Sequence, residues 1–419
     1  MILKKRSGPS TAESRLTSRA TSCTVNLNTA SELARPNEAQ YLTLNTQHLQ
    51  PLAVYVHIPF CPSKCGYCDF NSYAMSGSII ERTVDATIAE IERSRWRGRP
   101  AKTIFFGGGT PTFLEPKDLI RIFQAVLDAH PPLPGAEITS EANPGTVDCE
   151  KFTAMRSAGF NRISLGAQSF LDEDLIALGR IHRSGHIERA VSAARDAGFG
   201  NVNVDLMFAL PGQNPRAWND NLDRALALET EHLSLYCLTL EPNTPFYKEN
   251  LKGRLVLPDE DSQVEMYEMA VERTGGAGLA QYEISNFARP GRECLHNLCY
   301  WRNEFYAGYG PGAVGFMPDD AGRPRRYTNI KHPDRYSSAA KERQPFSFEE
   351  EVLTPENIRL ERLMMGLRLN EGLSSNSLDL DLSKVEELRA RGWMNYDGER
   401  LCLTSCGRHF CSQVTLELL

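Results

Sequence analysis

The chain has 419 residues, 41% of them hydrophobic and 24% charged, with 46 Lys and Arg against 53 Asp and Glu for a net charge of −7. That is a globular composition rich enough to bury a sizeable core, and its sign excludes a broadly basic nucleic-acid binder; at a mean hydropathy of −0.38, no apolar run approaches the roughly 18 residues of a membrane helix. The 11 cysteines are odd in number, in a long chain without a secretory signal, so they read as reduced thiols available for metal ligation rather than as a disulfide framework.

Residues 1–50 hold six Lys/Arg against three Asp/Glu, and 13 Ser/Thr, with almost no apolar periodicity. The stretch reads as a disordered extension. A basic, Ser-rich start also fits an organelle transit peptide, although Glu13, Glu32 and Glu38 dilute that pattern. From residue 51 strand and helix signals alternate. Strands are predicted at 53–58, 102–106, 137–144, 162–168, 201–207 and 232–240. Helices are predicted at 79–96, 116–129, 148–158, 171–178, 186–198 and 215–228. Six strands each followed by helix argue for parallel βα units, and six in about 230 residues fit a partial barrel rather than a closed eightfold one. The expected fold is α/β, a partial (βα)6 barrel over 51–285. A connecting segment over 286–345 and a small C-terminal domain over 346–419 complete it.

That last domain shows helical patterns at 352–369 and 382–392, then a hairpin turning at Asp397-Gly398, then a short helix. Helix, helix, hairpin resembles a winged helix. Eight basic against 13 acidic residues from 346 onward are the wrong sign for gripping phosphates, so it reads as a packing or interaction module and not a DNA reader.

The chemistry lies in Cys61-Pro-Ser-Lys-Cys65-Gly-Tyr-Cys68, directly after the first strand. Three thiolates on one loop can each take a corner iron of a 4Fe–4S cubane and leave the fourth iron open. A closed zinc site is the competing reading, but it wants four ligands, and His57 is the only near candidate for the fourth.

CxxxCxxC after a first strand resembles the radical S-adenosylmethionine (SAM) enzymes. The longer run Tyr55-Val56-His57-Ile58-Pro59-Phe60-Cys61, with Cys65-Gly66-Tyr67-Cys68-Asp69-Phe70, resembles the branch that holds oxygen-independent coproporphyrinogen III oxidase and the HemW heme chaperones. The resemblance spans roughly residues 51–419. It implies a 4Fe–4S cluster on Cys61, Cys65 and Cys68, with SAM at the open iron. It also implies that Gly108, Gly109 and Thr110 of the glycine turn, with Glu141, Gln168, Arg180 and Asp205, line the SAM site, and that Tyr55 and Tyr67 flank the cluster.

The oxidases carry a further Cys two positions after the third; Phe70 stands there. This turns the resemblance toward the heme chaperones, whose motif is matched by His296-Asn297-Leu298-Cys299-Tyr300-Trp301. Heme near His296 is the implied cargo, with ring stacking by the adjacent aromatics. Val314 stands where relatives often have His, and Cys294 and Cys299 flank the motif. The expected function is a heme carrier delivering heme to acceptor hemoproteins of the respiratory chain. A homodimer and a peripheral membrane contact are compatible with that role. The expected compartment is the cytoplasm, or the mitochondrion if the extension is a transit peptide. The alternative is an enzyme that cleaves SAM to a 5′-deoxyadenosyl radical and takes hydrogen from a porphyrinogen.

Overall fold

The computed structural model describes residues 50–376 and 378–419; of the extension read in residues 1–50, all but the last residue lies outside them. Six βα units come first: β1 (Leu52–Ile58), α1 (Ser78–Glu92), β2 (Ala101–Gly108), α2 (Pro116–Ala129), β3 (Pro132–Ala142), α3 (Cys149–Ala158), β4 (Arg162–Gln168), α4 (Asp172–Ala177), α5 (Ser184–Asp196), β5 (Val202–Phe208), α6 (Pro215–Ala227) and β6 (His232–Cys237). Neighbours from β1 to β6 pair in parallel. All six strands fall where the sequence predicts them.

These segments form for local reasons. β1, LAVYVHI, is buried almost throughout, as parallel strands covered by helices are. α2 begins with Pro116 at its first turn and buries Leu119, Ile122, Phe123 and Val126, a stripe at helical spacing. Asp148 and Asn214 cap α3 and α6 by accepting from the backbone N–H of Lys151 and Ala217. Between sheet and helices, Phe106, Phe123 and Phe160 meet at ring distances of 4.5–6.0 Å.

The sheet then grows at both ends. After α7 (Pro245–Leu251) and α8 (Glu260–Gly276), β8 (Asn286–Ala288) adds antiparallel to β6, and β7 (Ala280–Glu283) antiparallel to β8. After α9 (Leu295–Trp301), β9 (Tyr306–Tyr309) pairs in parallel with β1. β10 (Val314–Pro318), β11 (Pro324–Asn329) and, past α10 (Pro333–Lys341), β12 (Ser347–Val352) follow antiparallel. The result is a 12-stranded sheet, ordered β12-β11-β10-β9-β1-β2-β3-β4-β5-β6-β8-β7, curled but not closed. Much of the segment read as a connection is therefore sheet.

The C-terminal part has a second core around Leu363, Val385, Leu388, Leu401 and Val414. It is built from α11 (Pro355–Gly366), β13 (Leu373–Ser374), α12 (Leu382–Ala390), β14 (Met394–Tyr396), β15 (Arg400–Leu403), α13 (Ser405–His409) and α14 (Cys411–Glu417). The helix predicted from 352 starts later. Residues up to Val352 belong to β12, and Thr354 caps α11 by accepting from Asn357 N–H.

The Cys loop is fastened to the added strands. Asn71 Nδ2 donates to the carbonyls of Pro311 (2.9 Å) and Lys331 (3.0 Å). The 310–312 turn is held in turn by buried Glu90, which accepts from Gly310 N–H (2.8 Å), Asn329 Nδ2 (2.7 Å) and the Tyr336 hydroxyl. Glu90→Ala leaves three buried donors without their acceptor and is expected to cost about 3 kcal/mol or more. Urea unfolding of the two proteins measures this; a midpoint unchanged by the substitution would show that water replaces the carboxylate.

Candidate functional site

The C-terminal ends of the strands surround one open cavity. Cys61, Cys65 and Cys68 line it together with Tyr67, Gly108, Gly109, Thr110, Glu141, Gln168, Arg180 and Asp205. All three cysteines are free. Thr110 Oγ1 lies 3.4 Å from Cys61 Sγ, and an Arg180 Nη donates to Cys65 Sγ at 3.7 Å. Burial pushes the Cys61 and Cys68 thiols up; ligation by a cationic metal would offset that cost by removing the proton. Among the described residues no three His, Cys, Asp or Glu side chains converge as on a single metal ion. A closed zinc site needs that convergence, whereas thiols ringing an open cavity suit a multi-iron cluster.

The backbone beside the thiols is glycine for steric reasons. Gly108 has φ 110°, in the left-handed region, and a Cβ there would run into the His57 ring. A Cβ on Gly109 would stand 2.6 Å from the Phe60 carbonyl oxygen. His57 is itself locked, with the Tyr55 hydroxyl 3.0 Å from Nδ1 and the Asn71 carbonyl 2.9 Å from Nε2. Across the ladder, Gly108 N–H donates to Glu141 Oε2 at 3.1 Å. A register shift between Gly166 and Gln168 accompanies a left-handed Gln168, φ 70°, at the cavity wall.

Two acids dominate the electrostatics. Burial pushes the Glu141 carboxyl up to about 8, and the neighbouring Asp205 adds to the rise. Asp205 is also raised by burial, against donors that include Ser164 Oγ (3.3 Å) and Asn203 Nδ2 (2.6 Å). Two carboxyls that resist ionisation together form a site that gains from a cation. The Tyr67 and Tyr55 hydroxyls are raised by burial as well. Tyr55 lies deeper, in the lumen, its ring 6.3 Å from Phe105. These residues fit a cluster with a cationic amino-acid ligand such as SAM.

His296 is not part of this cavity. It sits in α9, fully buried at the lumen floor. Nδ1 lies 2.8 Å from Thr103 Oγ1 and Nε2 lies 2.9 Å from the Tyr300 hydroxyl. Its ring stacks on Phe105 at 5.0 Å. Burial lowers it to about 3, so it is neutral at physiological pH. Neutral imidazole is the ligating form, but both nitrogens already have partners. Glu137 ties α9 down by accepting from the N–H groups of Leu295 (2.9 Å) and His296 (3.1 Å). Trp301 packs under the Arg368 guanidinium, 4.5 Å from its ring centre, and links α9 to the C-terminal domain. Cys294 and Cys299 are buried, with thiols raised by desolvation. Val314 opens β10.

Sequence reasoning missed His57 as a locked wall residue, Asn71 as the loop anchor, and the polar lumen side chains Arg162, Ser164, Asn203 and Ser234. A signal was present: polar residues two apart on otherwise apolar strands, such as Arg162 and Ser164 or Asn203 and Asp205, mark one inward face.

Residues 55–225 match the profile of the Radical SAM superfamily, and residues 353–410 that of the HemN C-terminal domain. The chain is 37% identical to the heme chaperone HemW of Bacillus subtilis, over 86% of this chain and 97% of that one. It is 35% identical to HemW of Mycobacterium tuberculosis, over 88% and 95%. It is also 35% identical to a zebrafish (Danio rerio) protein named radical S-adenosyl methionine domain-containing protein 1, mitochondrial, over 80% and 76%. The solved coproporphyrinogen III oxidase (HemN) of Escherichia coli shares the fold, with a TM-score of 0.76 over 92% of this chain and 93% of that one, at 23% identity.

Because burial and Asp205 push the Glu141 carboxyl up to about 8, a cationic ligand should bind this cavity more tightly as pH rises through that value. Calorimetric titration of SAM into cluster-reconstituted protein across that range tests it. Glu141→Gln should flatten the pH dependence; an equal slope in both proteins would remove Glu141 from the cation's contacts.

Proposed function

This chain belongs to the radical SAM superfamily, in the group of the HemW heme chaperones, and on that footing we propose that it carries heme and delivers it to acceptor hemoproteins. The observation that carries the reading is the agreement with curated HemW proteins across nearly the whole folded chain. Phe70 agrees with it. The position at which the oxidases hold a further Cys is an aromatic side chain, 62% exposed, that lines the cavity beside the three thiols.

In this reading Cys61, Cys65 and Cys68 would hold a 4Fe–4S cluster, and Gly108, Gly109, Thr110, Gln168, Arg180 and the pair Glu141 and Asp205 would cradle SAM beside it, with Tyr55 and Tyr67 flanking. When bound, the cluster supplies a low-potential electron and an open iron. The chain's own contributions are to exclude a Cβ at the glycine turn, to set a cation beside Cys65 through Arg180, and to face SAM's positive groups with Glu141. Heme contact by His296 requires release of one ring nitrogen, and Tyr300 holds the nitrogen that points away from the β2 hydroxyl. The acceptors we infer are respiratory hemoproteins, with a homodimer as the working assembly. Among the described residues no helix is long and apolar enough to cross a membrane. The cytoplasm is the compartment this reading takes, with the mitochondrion as the alternative. The second reading, a SAM-cleaving enzyme, draws on the same intact cavity.

Anaerobic reconstitution should give about four irons per chain, and the triple Cys→Ala variant almost none; stoichiometric zinc without iron would sink the cluster. The reconstituted protein should retain hemin and pass it to an apo-hemoprotein while yielding no protoporphyrinogen IX from coproporphyrinogen III. Repeated turnover of that product would put the enzyme first.

A separate outcome bears on His296. Tyr300→Phe frees Nε2 of a competing hydroxyl and should tighten hemin binding about two- to tenfold, the worth of one hydrogen bond. His296→Ala should shift the Soret band. If both variants keep the wild-type spectrum and affinity, the motif only packs α9.

A further inference from the structure

We propose that the middle of the barrel lumen contains a carboxylate-binding subsite, built on the guanidinium of Arg162 with the Thr139 hydroxyl as its second contact. Arg162 opens β4 and is only 2% exposed. Its Nε is buried without a hydrogen-bond partner. Its ion-pair partner, Glu137 Oε2, stands 4.0 Å from Nε, beyond hydrogen-bond reach. Glu137 is already committed to α9, and Asp205 to Asn203 and Ser164. The other buried acids of the fold are satisfied: Glu90 accepts from three donors, and Glu283 accepts from Arg368 and Asn286. A fully buried guanidinium with an unpartnered Nε is costly, so Arg162 stands out.

The second observation is independent. Thr139 lies opposite Arg162 in the β3–β4 register. By strand alternation it shares the inward face of Glu137 and Glu141. Its Oγ1 is buried and also has no partner. A planar five-donor fork beside a free hydroxyl matches a group with two coplanar acceptor oxygens. With Glu141 one inward position above and Asp205 the next, a monoanion is favoured over a phosphate dianion. Both acids line the open cavity, so a carboxylate enters from the cluster side. It comes either as a free small carboxylate or as a propionate arm of heme; only the second source rests on the heme-carrier reading.

The test uses the full-length, cluster-reconstituted protein. [13C]Formate is titrated and followed by NMR line broadening, and hemin is compared with hemin dimethyl ester by Soret titration. Wild type should bind formate, and Arg162→Met and Thr139→Val should each weaken it, Arg162→Met by about tenfold or more as expected for a lost charge-assisted contact. Wild type should prefer hemin to its ester, and Arg162→Met should lose that preference. Arg162-dependent formate binding without ester discrimination assigns the subsite to free carboxylates. Absence of formate binding in wild type, or equal binding in all three proteins, together with an unchanged hemin-to-ester ratio, overturns the subsite. Failure of wild type to retain hemin at all overturns the carrier reading, while the formate arm still decides the subsite. If circular dichroism shows that Arg162→Met does not fold, the isosteric Thr139→Val, which keeps the cation, carries the comparison.

Discussion

A parallel strand covered by helices on one face must send every second side chain to the other. Six such strands in fixed register therefore stack their inward residues in layers. Tyr55 meets Phe105, Phe105 meets Thr139, and Thr139 meets Arg162; higher up, Gly166 meets Asp205, which meets Ser234. The depth of each group in the lumen follows from its place in its strand. That constraint puts the thiols and the glycine turn at the rim, Glu141 and Asp205 just inside, Arg162 in the middle, and α9 across the floor. A one-residue slip in any strand would turn its polar set into the apolar layer under the helices.

The charges in this lumen make sense only together. Burial raises both Glu141 and Asp205, and Asp205 raises Glu141 further. Arg162 offsets Asp205 from below without bonding to it, and burial, with Arg162 adding to it, lowers His232 and His296 so that both imidazoles are neutral. The upper lumen is thus poised for a cation and the middle for an anion. A zwitterionic amino-acid ligand at the rim and a carboxylate beneath it are complementary to that vertical order.

Much of this was legible in the sequence, and the limits have physical causes. The six core strands are largely buried, mostly apolar runs, each followed by a helical pattern, and that alternation located them. The cysteine spacing and the residues at strand ends converged on one cavity. β11 and β12 did not announce themselves: PRRYTN and SFEEEV carry no apolar alternation, because β12 is a sheet edge exposed along nearly its whole length. Its glutamates merged with the helical pattern that follows, which is why α11 was drawn too long. α8 was missed because its apolar stripe is thin, with only Met266 and Ala270 among its hydrophobic residues fully buried.

The His296 motif shows where a residue pattern stops being sufficient. Histidine with nearby aromatics is what a porphyrin site needs, and it is equally what a buried plug needs. Here Thr103 and Tyr300 satisfy the ring, Phe105 stacks on it, and Trp301 passes the contact to Arg368 of the C-terminal domain. Arg368 in turn binds the buried Glu283 at 3.1 Å, while Asn370 N–H donates to the Tyr282 carbonyl at the β7 edge. Withdrawing α9 far enough to offer a ring nitrogen therefore strains the join between barrel and C-terminal domain. A heme that reached His296 would have to supply more than a single iron–imidazole contact, because it displaces the Tyr300 bond, the stack on Phe105 and the Glu137 cap together. An additional anchor inside the lumen, of the kind Arg162 offers to a propionate, is what would make that exchange favourable.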